Sequence, residues 1–273
     1  MIMNYWKQSK QNIYVAAHRG WKTRYPENTI PAFRAALELG VDQLECDVRV
    51  TYDGELVVIH DPTVDRTTNG TGRVCDKTLA ELRALDAGSY MGEDFRGVQI
   101  PTFEEFMELV KDHPTVTLDV ELKEYPSSAG NEQRALEVCD RVLKIIDEYG
   151  FTDRVVINSW SNQLNEYIFK TYGKKYRQHV YYPLCVMKHD KPTMDPYTYA
   201  YCTCMFRSVW SDVNIADKWE FDRMETMGPQ PWAGADIKDE RGVDRAIESG
   251  AVLITCNNPD EILEILRRKG YHD

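Results

Sequence analysis

Four short stretches hold the residues whose types and spacing can do chemistry. The first, AHRG, places His18 and Arg19 directly after the apolar run IYVAA at 13–17, with Gly20 behind them. The second, LECDV, sets Glu45 and Asp47 two residues apart, and the third, LDVELK, repeats that spacing in Asp119, Glu121 and Lys123. The fourth, VVIH, ends in His60. Side chains two apart on a strand share a face. Each carboxylate set therefore projects to one side, while Leu44, Cys46 and Val48 face an apolar layer.

Three carboxylates gathered in a small volume repel one another unless a cation sits between them. A divalent ion with oxygen ligands meets that need, and a set without cysteine favours Ca²⁺ or Mg²⁺ over zinc. Rim salt bridges from Arg19, Arg49 and Lys123 meet it too, and the spacing admits both arrangements. A single histidine at a strand end is commonly structural. Two that flank one carboxylate cluster have a further use, as general base and general acid near neutral pH. His113, His179, His189 and His272 lack such company and read as structural or surface residues.

For these groups to meet, the strands must end side by side. Strand patterns fall at 13–17, 43–50, 116–121, 155–159, 179–184, 203–209, 230–235 and 251–255. Helical patterns occupy 29–39, 103–112, 131–149, 161–173, 214–227, 239–249 and 259–269. Asn28 or Thr29 can cap the first helix, with Pro31 in its first turn, where a missing N–H costs nothing. Strand–helix alternation repeated this often predicts a parallel sheet, and eight strands predict a closed (β/α)₈ barrel. One segment breaks the alternation. Asp53-Gly54 between two apolar runs signals a hairpin, so 55–60 is expected to run antiparallel to the second strand. Residues from about 51 to 101 then form an insertion within a single domain spanning 1–273, and its Tyr90 and Phe95 look exposed.

Composition sets the outer limits. The chain has 273 residues, 42% hydrophobic and 28% charged, with a formal net charge of −11. That balance fits a soluble globular protein and argues against a nucleic-acid partner, which requires clustered Lys and Arg. No stretch approaches the roughly 18 apolar residues of a membrane span, and the N-terminus lacks the apolar core of a secretory signal. Seven scattered cysteines, at 46, 75, 139, 185, 202, 204 and 256, read as free thiols in a reducing cytoplasm. Cys202 and Cys204 have no second pair at zinc-site spacing and are not expected to bind metal.

Taken in order, AHRG, PENT, ECDVRVTYDGELVVIHDPTVDRTTNGTG and VELK are similar to the glycerophosphodiester phosphodiesterase family, and a looser likeness runs through VVINSW to GAVLITCNNPDEI. The resemblance implies a TIM barrel with an insertion after its second strand. It also implies divalent-metal-dependent hydrolysis of glycerophosphodiesters to glycerol 3-phosphate and an alcohol. By that resemblance His18 and His60 are the catalytic pair, and Glu45, Asp47 and Glu121 hold Ca²⁺ or Mg²⁺. Arg19 and Lys123 contact the phosphate, Glu27 orients Arg19, and Trp232 contacts substrate. The chain departs from the family at Ser159-Trp160, where the family has Ser-Phe, which keeps an aromatic wall for the glycerol. It departs again at Trp232-Ala233 in place of Trp-Thr, and at Thr255-Cys256 in place of Thr-Asp. The implied partner is a small-molecule glycerophosphodiester, with no nucleic acid and no stable membrane association. A phospholipase D-like lipid hydrolase on the same barrel and a non-catalytic phosphodiester-binding protein are the rival readings. The acidic charge weighs against the first, and the retained histidine pair against the second.

Overall fold

The computed structural model describes residues 5–128, 130–187, 189–207 and 213–273. Its first strand, β1 (Tyr14–His18), pairs in parallel with β2 (Gln43–Val50) on one side. From β2 the sheet continues through β4 (Thr117–Leu122), β5 (Val155–Asn158), β6 (Arg177–Tyr182), β7 (Cys202–Met205), β8 (Gln230–Ile237) and β9 (Leu253–Cys256). β9 pairs with the other side of β1, so eight parallel strands close a barrel. The remaining strand, β3 (Leu56–Val58), is the hairpin return, antiparallel to β2 with Val48 opposite Val58.

Period-two patterning decides what lies inside. Leu44, Cys46 and Val48 join the large outer core, with Phe33 from α1 (Ile30–Leu39) and with Phe103 and Phe106 from α3 (Phe103–Lys111). The alternate residues Gln43, Glu45 and Asp47 are buried inside the barrel. Toward the N-terminal ends of the strands the bore is packed by Tyr14, Ala16, Val156, Cys202 and Trp232. Trp6 closes that end, its ring stacked 6.4 Å from Trp232 and edge-on to Tyr201 at 5.1 Å. The barrel is therefore a filled core at one end and a polar cavity at the other, the end where barrel active sites are built.

Between β3 and α3, the insertion has a small core of its own, formed by Val57, Ile59, Val64, Val74, Leu82, Ala87 and Ile100. Its one α-helix, α2 (Leu79–Arg83), starts on a Thr78–Glu81 capping box. Tyr90 is exposed as expected, whereas Phe95 is half-buried against the Tyr25 ring.

Two expected boundaries move. The strand expected at 203–209 ends at Met205, and residues 208–212 lie outside the described ones. The helix expected from 214 begins at Lys218 as α6 (Lys218–Met227), because Glu220 accepts a hydrogen bond from the Asp217 amide and sets the first turn there. Asn214 is instead used by its side chain, which accepts from the Arg207 amide. The other helices, α4 (Glu132–Glu148), α5 (Asn162–Tyr172), α7 (Glu240–Ser249) and α8 (Pro259–Lys269), fall within a few residues of expectation. Among the described residues, no helix is long and apolar enough to cross a membrane.

Candidate active site

The β2–β4 register puts Asp47 beside Glu121 and Glu45 beside Asp119. Glu45, Asp47 and Glu121 each offer a carboxylate oxygen within 4.8 Å of the others, and all three are buried. Two cations share the volume. Arg19 Nε lies 3.2 Å from Asp47, and Lys123 Nζ lies 3.1 Å from Asp47 while also binding Glu121. The salt-bridge arrangement is thus partly realised, but Arg49 takes no part in it. Its guanidinium donates to the backbone carbonyls of His60 and Lys123 and pairs with Glu124 at 3.7 Å.

Three carboxylates against two cations leave a deficit of positive charge. Burial and the neighbouring Asp47 charge push the Glu45 carboxyl well above the usual carboxylate range. For Asp47, burial is outweighed by the charges of Lys123 and Arg19, which hold it well below that range. Glu45 Oε2 accepts from the Arg19 amide at 2.8 Å, while Oε1 is buried with no hydrogen-bond partner. A buried, unpaired carboxylate oxygen is costly. An all-oxygen donor set with one such atom fits a hard divalent cation.

The turn after β1 is built for this placement. Arg19 and Asn28 both adopt left-handed backbone conformations, with φ of 61° and 57°. Strain of this kind persists where surrounding contacts over-determine it, and here they do. Arg19 N binds Glu45, and Asn28 Nδ2 donates to Asp47 Oδ2 at 2.7 Å. Gly20, at φ 77°, lets the turn sit against α1, since a Cβ would come 2.7 Å from the Ala32 carbonyl carbon. Thr29, not Asn28, caps α1 by accepting from the Ala32 amide. Asn28 is free to hold a carboxylate.

His18 and His60 flank this cluster with different companions. His18 Nδ1 lies 2.8 Å from Asn257 Oδ1, and its Nε2 is 3.9 Å from Glu45. Burial, helped by the Arg19 charge, lowers its pKa to about 3. The ring is neutral near pH 7, and an amide oxygen at Nδ1 selects the tautomer with a free lone pair on Nε2. His60 Nδ1 instead meets a carboxylate, Asp61 Oδ1, at 2.7 Å. Burial and the Lys123 charge lower the His60 pKa, and Asp61 opposes them.

From His60 a continuous set of charged contacts runs back to Arg19. Asp61 accepts from Arg66 Nε at 2.6 Å, Arg66 donates to both oxygens of Glu27, and Glu27 accepts from Arg19 Nη1 at 2.9 Å. Burial opposes ionisation of Glu27, but these two arginines pull its pKa down to about 2.

The sequence profile of the glycerophosphoryl diester phosphodiesterase family matches residues 18–260. The chain belongs to this family. A glycerophosphodiester phosphodiesterase of Caldanaerobacter subterraneus subsp. tengcongensis is 47% identical over 152 residues, covering 54% of this chain and 58% of the relative. Glycerophosphodiester phosphodiesterase 1 of Homo sapiens is 34% identical over 166 residues, covering 56% and 50%. The chain spans about half the length of the curated relatives it matches. A phosphodiesterase of Oleispira antarctica, solved in complex with the product sn-glycerol-3-phosphate, superposes with a TM-score of 0.74 at 22% identity, covering 93% of this chain and 96% of that one. This solved neighbour shares the barrel fold.

In this family member Glu45, Glu121, His18 and His60 line a cavity of about 250 Å³ whose far wall is aromatic. Trp160 stacks on Tyr181 at 3.9 Å, and Tyr181 on Phe206 at 5.9 Å. Phe206 can lie there because residue 234 is glycine; a Cβ would meet its ring at 2.4 Å. Trp160 stands where expected. Trp232 does not: it is fully buried and does not line the cavity. Along a pleated strand, residues 232 and 234 both face inward but one layer apart, so Gly234 reaches the rim and Trp232 packs the layer below.

His179, expected to be structural or at the surface, is buried. It lines the cavity, with Nδ1 2.7 Å from Asp119 Oδ2, and both residues are buried. Their separation of 60 residues hid the pairing from a sequence reading. Sequence pattern alone does not mark Asn28, Asp61, Arg66 or Asn257 as functional, although each contacts the site. Of these only Asp61 carries a local signal, as the carboxylate adjoining His60.

Proposed function

We propose that the chain is a metal-dependent glycerophosphodiester phosphodiesterase that releases glycerol 3-phosphate and an alcohol. The observation that carries this reading is the asymmetry of the two imidazoles beside one buried carboxylate cluster, one held by an amide and one by a carboxylate. Glu45, Asp47 and Glu121 would hold Ca²⁺ or Mg²⁺, which supplies Lewis-acid neutralisation of phosphate charge. Arg19 and Lys123 face the same volume and would stabilise charge developing on the phosphoryl oxygens. His18, through its free Nε2, would take the proton of the attacking hydroxyl, either water, which gives glycerol 3-phosphate directly, or the glycerol 2-hydroxyl, which gives a cyclic phosphate that water then opens to glycerol 3-phosphate. His60, its protonated form favoured by Asp61, would give a proton to the departing alkoxide. Glu27 would fix Arg19, and the Trp160–Tyr181–Phe206 wall would receive the carbon skeleton of the glycerol. The bound product in the Oleispira antarctica neighbour supports that substrate class. Seven free cysteines support a reducing, cytoplasmic setting.

The test is product analysis with purified protein and glycerophosphoglycerol. Glycerol 3-phosphate should appear, its release should stop on exhaustive chelation, and Ca²⁺ or Mg²⁺ should restore it. Full turnover in chelator would remove the metal from the mechanism. A clear preference for micellar phospholipid over soluble diesters would favour the lipid-hydrolase reading.

A further inference from the structure

Beyond His60 a second, wider groove of about 730 Å³ opens between the insertion and the loop after β4. It shares His60, Lys123 and Trp160 with the catalytic cavity, so the two are continuous. With His60 at the junction, an alcohol leaving from the phosphorus has this groove as its path.

The lining is unusual for a chain with a net charge of −11. Lys123 is taken up by Asp47 and Glu121, and Arg49 by Glu124 and two carbonyls. Two guanidinium groups remain, Arg73 and Arg134, against the single carboxylate of Asp76. Arg134 is anchored through Nη2 to the carbonyls of Val50 and Thr51, which fixes its position on the hairpin. Among the described residues no side chain accepts a hydrogen bond from Arg73, which is exposed at the groove. Both side chains line the groove together with Cys75. Guanidiniums present planar donor forks that match carboxylate and phosphate oxygens. Choline and ethanolamine heads would meet repulsion there instead.

We infer that this groove binds the leaving alcohol, and that the preferred alcohol carries an oxyanion of its own, a phosphate ester or a carboxylate. The inference rests on the phosphodiesterase reading above and narrows its substrate class. Turnover is compared for glycerophosphoglycerol (neutral alcohol), glycerophosphocholine (cationic), bis(glycerophospho)glycerol (phosphodiester-bearing) and N-acetyl-glycerophosphoserine (carboxylate-bearing). At low salt, kcat/KM for at least one anionic substrate should exceed that for glycerophosphoglycerol by about tenfold or more, and the two anionic arms separate phosphate from carboxylate. The excess should shrink as salt rises toward about 1 M, where the screening length falls to about 3 Å. Arg73→Gln should cut the anionic-to-neutral ratio at least about threefold, on the scale of a lost charge-assisted contact; because Arg73 is exposed, folding is not at risk. Equal kcat/KM for anionic and neutral substrates, or a preference that Arg73→Gln leaves in place, overturns the inference while glycerophosphoglycerol turnover keeps the parent reading standing. Absence of turnover on all four substrates overturns both.

Discussion

The two halves of the barrel rim use opposite means to shape one cavity. Around β1, β2 and β4 the inward residues are charged, each held by an ion pair or a backbone donor: Arg19, Glu45, Asp47, Glu121 and Lys123. Around β5, β6 and β7 they include aromatic rings, Trp160, Tyr181 and Phe206, stacked on one another. Electrostatic groups need fixed positions to act on a transition state, and the first half supplies them through short hydrogen bonds and a strained turn. On the proposed function, the second half offers area and shape that would bind a carbon skeleton before and during reaction alike. On this division, damage to the first half should appear in kcat and damage to the second in KM.

The largest effects should follow from the charged half. Glu45→Gln and Asp47→Asn should lower kcat by about three orders of magnitude, reflecting several kcal/mol of charge stabilisation, with the fold retained by circular dichroism. His18→Ala and His60→Ala should each cost roughly 10²–10⁴ in kcat, and the double variant should cost less than the product of the two, because both act in one transition state. Near-normal turnover by His60→Ala would move that residue to a structural role and blur the contrast between the halves.

A smaller effect sharpens the comparison within the charged half. Asp61→Asn should lower kcat by about tenfold to a hundredfold, the usual range for a group that orients a functional side chain. Its pH–rate profile should lose activity at lower pH than the parent, because removing the carboxylate lowers the His60 pKa further. An unchanged profile would show that Asp61 serves only to fix the hairpin. In the aromatic half, Phe206→Ala should raise KM by about tenfold, about 1.4 kcal/mol of ground-state binding, with kcat changed far less. A fall in kcat with unchanged KM would break the proposed division.

The smallest effect concerns the side of the fold distant from the cavity. His272 Nε2 contacts Asp42 at 2.9 Å, and that carboxylate also accepts from the Val15 amide. Burial lowers the His272 pKa, but the Asp42 hydrogen bond and charge outweigh it, so the folded value stands above the ordinary 6.5. A raised histidine pKa contributes stability that is complete below the unfolded value and is lost as pH rises through the folded one. The Tm difference between the parent and His272→Gln should therefore be wider near pH 5 than near pH 8.5, with activity unaffected. An equal difference at both pH values would mean that the contact acts through packing alone.

How much could be read beforehand differs between the halves for a physical reason. Glu45, Asp47, Glu121 and Lys123 are legible because a strand repeats every two residues, so a charged face inside an apolar run stands out in the sequence itself. The hairpin at Asp53-Gly54 is legible because a local turn needs that dipeptide. The aromatic wall was only partly visible: Trp160 sits at a strand tip, but Tyr181 and Phe206 meet it only once β5, β6 and β7 are side by side. Trp232 misled because the motif names the residue and not its depth in the bore. The pairing of His179 is not legible because its partner Asp119 lies on a different strand, and pairings between distant strands leave no periodic trace.

The contacts of Arg66 have a consequence for exchanging parts between relatives. The insertion has its own small core, which makes it look like a module that could be grafted onto another barrel. Yet Arg66, from within it, grips Glu27 on the loop before α1 and Asp61 beside His60 at once. A transplanted insertion lacking an arginine at this point would leave Glu27 with Arg19 alone and Asp61 with His60 alone, loosening Arg19 and His60 together. The insertion is thus tied to the loop that holds Arg19, and the two can be exchanged only as one unit.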